Sequence, residues 1–496
     1  MRNRGRVLVV ACAFALAGAL VPSATPAPAA APAPAAAPAP AATPAPAATP
    51  APAATPAPAP ATSVHGLWLP PRQRATSRPP TRAECLELYA SPCYRPAQIQ
   101  RAYHEGPLFA RGITGRGATI VIVDPFGSPT IRHDLRVFDR QFGLPAPPSF
   151  RIIRPAGPVP PYDPTDPERV GWAGETTLDI EWSHSMAPGA RLLLVETPID
   201  ETSGTAGFPE IVRAENYVIN HHLGDVISQS FGTAEQTFPT VTSLLRLRSA
   251  YINADRHGVT VLAAAGDDGS AGNSNADGTL LFTHRVVDWP ASDPLVTAVG
   301  GSRLQLTRTG RRTAPDRVWN DSFDTAVNEA VFGNSGPNAN ATGGGRSVVF
   351  GRPRYQDGVA SIVGGRRGIP DISMSAACSG VVDVYTSFGG MPAGWSVSCG
   401  TSESAPLFAG IVALADQVAG HSLGLINPAL YVLAARHAPG LTDITRGNNT
   451  VAFTQGGKLV AVPGFRARRG YDLASGNGTI NAALFVPELA WAARSW

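Results

Sequence analysis

A hydroxyl becomes a useful nucleophile only where a base can take its proton and donors can meet the oxyanion that forms. Ser402 lies in Cys399-Gly400-Thr401-Ser402-Glu403-Ser404-Ala405-Pro406, between the strand-like Trp395–Cys399 and the apolar helical run Leu407–Val418. The pattern predicts Ser402 at a helix N-terminus, where amide groups and the helix dipole favour developing negative charge. Gly400 permits a tight approach, and Pro406 is expected in the first helical turn. Taken alone, a serine ahead of a helix is ordinarily a cap.

Glu175 and Asp179 stand in Gly174-Glu175-Thr176-Thr177-Leu178-Asp179-Ile180-Glu181-Trp182. A spacing of four puts both carboxylates on one helix face, and their mutual repulsion makes one of them hold its proton tightly. Most such pairs are solvated surface acids. The apolar Leu178, Ile180 and Trp182 argue for burial here, and Gly171–Gly174 suggests a loop entrance. Glu181 and His184 fall on other faces. Asp267 follows the apolar strand Val259–Ala264 in Ala263-Ala264-Ala265-Gly266-Asp267-Asp268-Gly269-Ser270. A carboxyl at the rim of an apolar sheet can stay neutral and donate a hydrogen bond. Read locally, the segment is an Asp-Gly turn.

The elements that must position these residues alternate. Strands are expected at Thr119–Val123, Arg191–Val195, Asp225–Ser230, Val259–Ala264 and Leu295–Val299, with helices around Ile131–Phe142, Glu175–Met186, Pro209–His222 and Thr240–Arg256. Near-continuous apolar strands alternating with amphipathic helices predict an α/β fold, a doubly wound, mainly parallel sheet with helices on both faces. Ligands of such sheets bind beyond the carboxyl ends of the strands, where several of the candidate residues fall.

Composition narrows the class. Charged residues are 16%, the net charge is +3, and lysine occurs once, at Lys458. No basic cluster follows a helix face, which argues against nucleic acid as a partner. Disorder throughout, a collagen-like repeat and a multi-span membrane protein are excluded. Arg2, Arg4 and Arg6 precede the apolar run Val7–Val21, so residues 1–24 read as a secretory signal, too short to span a bilayer. Residues 25–63 are almost pure Ala and Pro, a semi-rigid polyproline II stalk. Residues 64–84 read as a polar spacer, and the folded domain is expected over 85–496. The expected location is secreted, extracellular or cell-wall associated, with no membrane span in the mature chain. Outside the signal four cysteines remain, Cys85, Cys93, Cys378 and Cys399. Three connectivities are open, and sequence proximity favours Cys85–Cys93 with Cys378–Cys399. The adjacent His221 and His222 cannot share a helix face and read as surface residues, and no motif suits zinc.

In their joint order these motifs resemble the sedolisins, serine-carboxyl peptidases with a subtilisin-like fold. The likeness runs from about Tyr94 to the C-terminus. It includes Tyr94–Tyr103, Pro125–Thr130, Gly174–Ala190, Ser228–Gly232, Ala263–Ser270, Gly343–Gly345 and Gly400–Pro406. The resemblance implies Ser402 as nucleophile, Glu175 as general base, Asp179 as the residue that orients it and shares its proton, and Asp267 as protonated oxyanion donor. It implies activity at acidic pH on polypeptide substrates, through an acyl-enzyme on Ser402, with the protein a monomer. One calcium ion is also implied, with Asp443 and Asp472 giving carboxylates and Ile444, Arg468 and Gly470 giving carbonyls; oxygen ligands suit such a hard cation. The family usually has small residues where Arg468 and Arg469 stand.

Two departures from the family pattern stand out. Upstream of Cys85 no alternation of strands and helices marks the folded propeptide that sedolisins usually carry. Where some members extend the acid pair through a Glu and a Trp, this chain holds Asp124 and Phe231, so Asp124 is a supporting residue behind the pair. Ser228–Gly232 and Gly343–Gly345 are expected to pair with extended substrate backbone. A catalytically idle binding protein of the same fold and a tripeptidyl-type exopeptidase are the alternatives; the first predicts loss of one of the four residues, and all four are present. A lipase would need Gly-x-Ser-x-Gly. A subtilisin proper would need a catalytic His just before a helix.

Overall fold

The computed structural model describes residues 67–69, 77–201, 205–275 and 278–495. The expected signal (1–24) and stalk (25–63) lie outside the described residues, as does most of the 64–84 spacer. The folded part begins earlier than the expected boundary at Cys85. A helix starts at Arg82 under a Thr81–Glu84 capping box, and Leu67–Leu69 pairs as a strand with Val397–Cys399. Proline-rich flanks hide so short a strand from any periodicity.

Among the described residues eight strands form the central sheet. Its order is Arg317–Val318, Thr297–Arg303, Thr260–Ala264, Val226–Gln229, Thr119–Pro125, Arg191–Thr197 and Phe150–Ile153, with Ile372–Ser375 also paired to Thr297–Arg303. All pairings are parallel except that of Arg317–Val318. The alternation of strand side chains divides the core. Ile120, Ile122, Leu192 and Leu194 face one apolar cluster with helices Ile131–Phe142, Pro167–Met186, Thr401–Ala419 and Ala482–Ala492. Val121, Val123, Leu193 and Val195 face the other, with helices Phe208–Asn220 and Ser249–His257. Strands buried on both faces explain the continuous apolar runs. The architecture is the expected subtilisin-like α/β fold.

Local boundaries differ in instructive ways. The expected helix Thr240–Arg256 is two helices, Val241–Arg246 and Ser249–His257. The helix carrying Glu175 starts at Pro167, so Gly171–Gly174 lies inside it and is no loop entrance. Asp166 caps it by accepting from Glu168 N, and Pro167 fits the first helical position. A second sheet orders Leu67–Leu69, Gly394–Cys399, Val381–Thr386 and Cys93–Tyr94. Disulfides join Cys85 to Cys93 and Cys378 to Cys399, the pairing that proximity favoured. No helix among the described residues is long and apolar enough to cross a membrane.

Candidate active site

Every residue of helix Pro167–Met186 from Trp172 onward is buried. Glu175 and Asp179 therefore stand one turn apart inside the protein, and the solvated-face reading of the pair is ruled out. Their helix packs against Thr401–Ala419, which carries Ser402. Burial raises the Asp179 pKa well above the usual carboxyl range. The charges of Asp124 and Glu175 push it the same way, and only the Ser230 hydroxyl opposes. Burial and the two neighbouring acids thus favour the protonated form of Asp179.

Helix Thr401–Ala419 begins six residues before the apolar run that marks it in the sequence, because its first turn is polar. Gly400 precedes it at φ +115°, a conformation that side-chain-bearing residues rarely adopt. Ser402 is fully buried, and its Oγ has no hydrogen-bond partner among the described residues. Pro406 is not in the first turn as expected but inside the helix. Proline lacks the N–H that an unbroken helix would give to the carbonyl four residues earlier, here that of Ser402. The Ser230 hydroxyl reaches that carbonyl at 3.5 Å while donating to Asp179 Oδ1 at 2.9 Å. Ser230 thus ties the acid pair to the Ser402 backbone.

Asp267 follows strand Thr260–Ala264 and is fixed by Thr401, whose N and Oγ1 each donate to Oδ1 at 2.7 Å. Gly266 N donates in turn to Thr401 Oγ1 at 3.1 Å. Burial pushes the Asp267 pKa up to about 6, against the lowering effect of the Thr401 bonds. Its Oδ2 is buried without a hydrogen-bond partner among the described residues. With Oδ1 committed as an acceptor, a proton on Oδ2 leaves Asp267 a donor.

Behind the pair, burial raises Asp124 to about 7, opposed by the Thr176 hydroxyl and reinforced by Glu196. Its charge reaches Asp179, so the structure brings it to the acid pair. Phe231 is buried against Phe208 and donates nothing. Glu181 and His184 sit elsewhere. Glu181 accepts from Tyr385 N at 3.1 Å, and His184 Nε2 lies 2.8 Å from the Pro145 carbonyl.

Sequence reasoning missed Ser230 as an individual residue and missed the acids around Asp267. A crevice beside Asp267 is lined by Ala265, Gly266, Asp268, Asp288, Gly343 and Gly344. Burial raises Asp268 to about 7, with the Asp267 charge adding to it. Asp288 is raised further by burial and by Asp268, Asp267 and Glu235. The Asp267-Asp268 doublet was a visible signal for the first; Asp288 had none. Gly343 N donates to the Gly266 carbonyl at 2.7 Å, so this glycine segment braces the Asp267 loop from within.

Asp443, Ile444, Arg468, Gly470 and Asp472 converge at one locus away from these residues. Gly470 N donates to Asp443 Oδ2 at 2.8 Å and Arg468 N to Asp472 Oδ2 at 2.8 Å. The Ser475 hydroxyl spans Asp472 Oδ1 at 3.1 Å and the Ile444 carbonyl at 3.4 Å. Arg468 and Arg469 are exposed.

Comparison with known proteins places this geometry. The model of the subtilase family matches residues 170–429. Kumamolisin from Bacillus sp. (strain MN-32) is 32% identical over 395 residues, 77% of this chain and 62% of that protein. Sedolisin from Pseudomonas sp. (strain 101) is 30% identical over 314 residues, 62% of this chain and 48% of that protein. Human tripeptidyl-peptidase 1 is 31% identical over 326 residues, 63% of this chain and 51% of that protein. This chain thus spans about half to three-fifths of the length of these relatives. The solved structure of Pseudomonas sedolisin, a serine-carboxyl proteinase complexed with two molecules of pseudo-iodotyrostatin, superposes with a TM-score of 0.64 at 26% identity. That match covers 81% of this chain and 98% of that one. The chain belongs to the subtilase family and, within it, is most like the sedolisins among these relatives.

Proposed function

We propose that this chain is a secreted, acid-acting serine-carboxyl endopeptidase that hydrolyses peptide bonds through an acyl-enzyme on Ser402. One observation carries the reading. A buried acid pair on one helix, linked through Ser230 to the Ser402 carbonyl, and a carboxyl locked by Thr401, the residue before Ser402, meet at the start of one buried helix.

In this reading Glu175 takes the Ser402 proton as Oγ attacks the carbonyl carbon of the peptide bond. Asp179 keeps its own proton and hydrogen-bonds to Glu175, so the base stays oriented. The oxyanion is met by the Asp267 Oδ2 proton and the Ser402 amide. Glu175 then protonates the leaving amine, and a water repeats the sequence to release the acyl half. Asp267 must be neutral to donate, so rate falls as pH rises through about 6.

The calcium locus fits a hard cation. Its donor set is all oxygen, and the Ser475 hydroxyl brings the Asp472 carboxylate and the Ile444 carbonyl together. The side chains of Arg468 and Arg469 are exposed, and a carbonyl ligand at Arg468 does not depend on its side chain. A bound ion would clamp the 443–444 and 468–472 loops and takes no part in the bond-breaking steps.

The test is digestion of a denatured protein across a pH series by the purified full chain, with Ser402→Ala as control. Activity confined to acid and absent from the control is the expected result, and internal cuts in the products mark endopeptidase action. Release of tripeptides alone would replace the endopeptidase reading with the exopeptidase one. Silence from a well-folded, calcium-supplied sample would favour an idle binding protein.

A further inference from the structure

Strand Leu67–Leu69 forms one edge of the second sheet, pairing antiparallel with Val397–Cys399: Leu67 stands opposite Cys399, Trp68 opposite Ser398 and Leu69 opposite Val397. Cys399 leads directly into Gly400-Thr401-Ser402. The strand therefore enters the pair at the end adjoining the nucleophile and runs away from it. It also lies beside the helix that carries Glu175 and beside helix Thr325–Phe332. Val397–Cys399 would present an open row of N–H and C=O groups on this side if Leu67–Leu69 left it.

Direction decides what such an edge can hold. In acyl transfer to a serine, the part of a substrate upstream of the cut bond stays on the hydroxyl and the part downstream leaves. A chain that starts opposite Cys399, three residues before Ser402, and runs away from Ser402 in the N-to-C sense has the direction of the downstream part. Backbone pairing of this kind recognises any extended polypeptide.

We propose that Val397–Cys399 is the edge on which the leaving-group half of a polypeptide substrate pairs, and that the chain's own Leu67–Leu69 holds that edge in the full-length protein. The proposal rests on the peptidase reading of Ser402. A substrate must displace a tethered strand, so self-occupancy raises KM and leaves kcat unchanged.

The test uses the full chain carrying Trp68→Pro, which removes an N–H and breaks the pairing, with Trp68→Val as a strand-preserving control. The expected result is a KM at least threefold lower in the proline variant, with kcat and the control unchanged. Binding is read separately in Ser402→Ala chains by the anisotropy of a fluorescein-labelled peptide spanning Gly66–Arg72. It should bind the Trp68→Pro chain at least tenfold more tightly than the chain with its strand intact. If the proline variant fails to fold, Trp68→Gly is to show the same changes at smaller size. Selective peptide binding by chains that are inactive throughout would uphold the edge and overturn the peptidase reading. Equal KM and equal peptide binding in folded variants would overturn the edge.

Discussion

The two oxygens of Asp267 have separate duties: Oδ1 accepts twice from Thr401, while Oδ2 has no hydrogen-bond partner among the described residues. An amide could do the second job without titrating. Asp267→Asn, with its carbonyl toward Thr401 and its NH2 in place of Oδ2, should move the alkaline limb of kcat/KM upward. In the parent that limb is expected to fall through about pH 6. A pH–rate series on both chains checks this; an unmoved limb would assign it to another group. Glu175→Gln removes the base and should lower kcat by ~10²–10⁴-fold. Asp179→Asn keeps a donor to Glu175 and should cost less. Ser230→Ala releases the link between Asp179 and the Ser402 carbonyl, and its effect belongs in kcat rather than KM.

Elements fix these residues, and they differ in how far they announce themselves. The central strands are visible as β-branched runs because both faces are buried, and the Ile131–Phe142 helix was legible to the residue. The Glu175 helix was misplaced by eight residues because two glycines imitate a loop; the Asp166-Pro167 start signal was there to read. Ser230 and Asp288 escaped because a single hydroxyl or carboxyl carries no spacing, and only the fold brings it to the site. The four catalytic candidates were legible because each sits in a motif with tight backbone demands. The Cys378–Cys399 bridge closes a 21-residue separation and anchors the end of the strand that delivers Ser402. Its removal by Cys378→Ser with Cys399→Ser should cost ~3 kcal/mol, read by urea unfolding. Chelation of calcium, or Asp472→Ala, should lower the melting temperature and leave kcat of the surviving fold unchanged. An unchanged melting temperature would remove the ion from the account.

The whole molecule carries an unusual load of buried carboxyls. Burial raises Glu105, Asp179, Glu181, Glu201, Glu403 and Asp416 well above their ordinary range, and Glu215 and Asp383 to about 8. A carboxyl whose pKa is higher folded than unfolded binds its proton more tightly in the native state. Its contribution is full below the unfolded pKa, near 4, and is lost as pH rises through the folded value. Burial lowers His184 to about 4 and gives the opposite dependence, lost as pH falls through that value. Thermal melting of the Ser402→Ala chain, which cannot digest itself, should therefore peak near pH 4–5 and decline steadily toward pH 8. A melting temperature that climbs over that interval would contradict the assignment. On these expectations stability and catalysis share one acid window, set by the same desolvation.

Pro406 adds something the charge inventory does not. By withholding an N–H it leaves the Ser402 carbonyl dependent on a borrowed hydrogen, and the lender, Ser230, also serves Asp179. That hydroxyl has one hydrogen, with Asp179 Oδ1 at 2.9 Å and the carbonyl at 3.5 Å, so a stronger bond to one is a weaker bond to the other. The gap in the helix thus couples a carboxyl on one helix to the backbone of Ser402 on the next through a single shared hydroxyl. Pro406→Ala would close the gap and free the Ser230 hydroxyl for Asp179 alone, uncoupling the two helices at this point while leaving each residue in place.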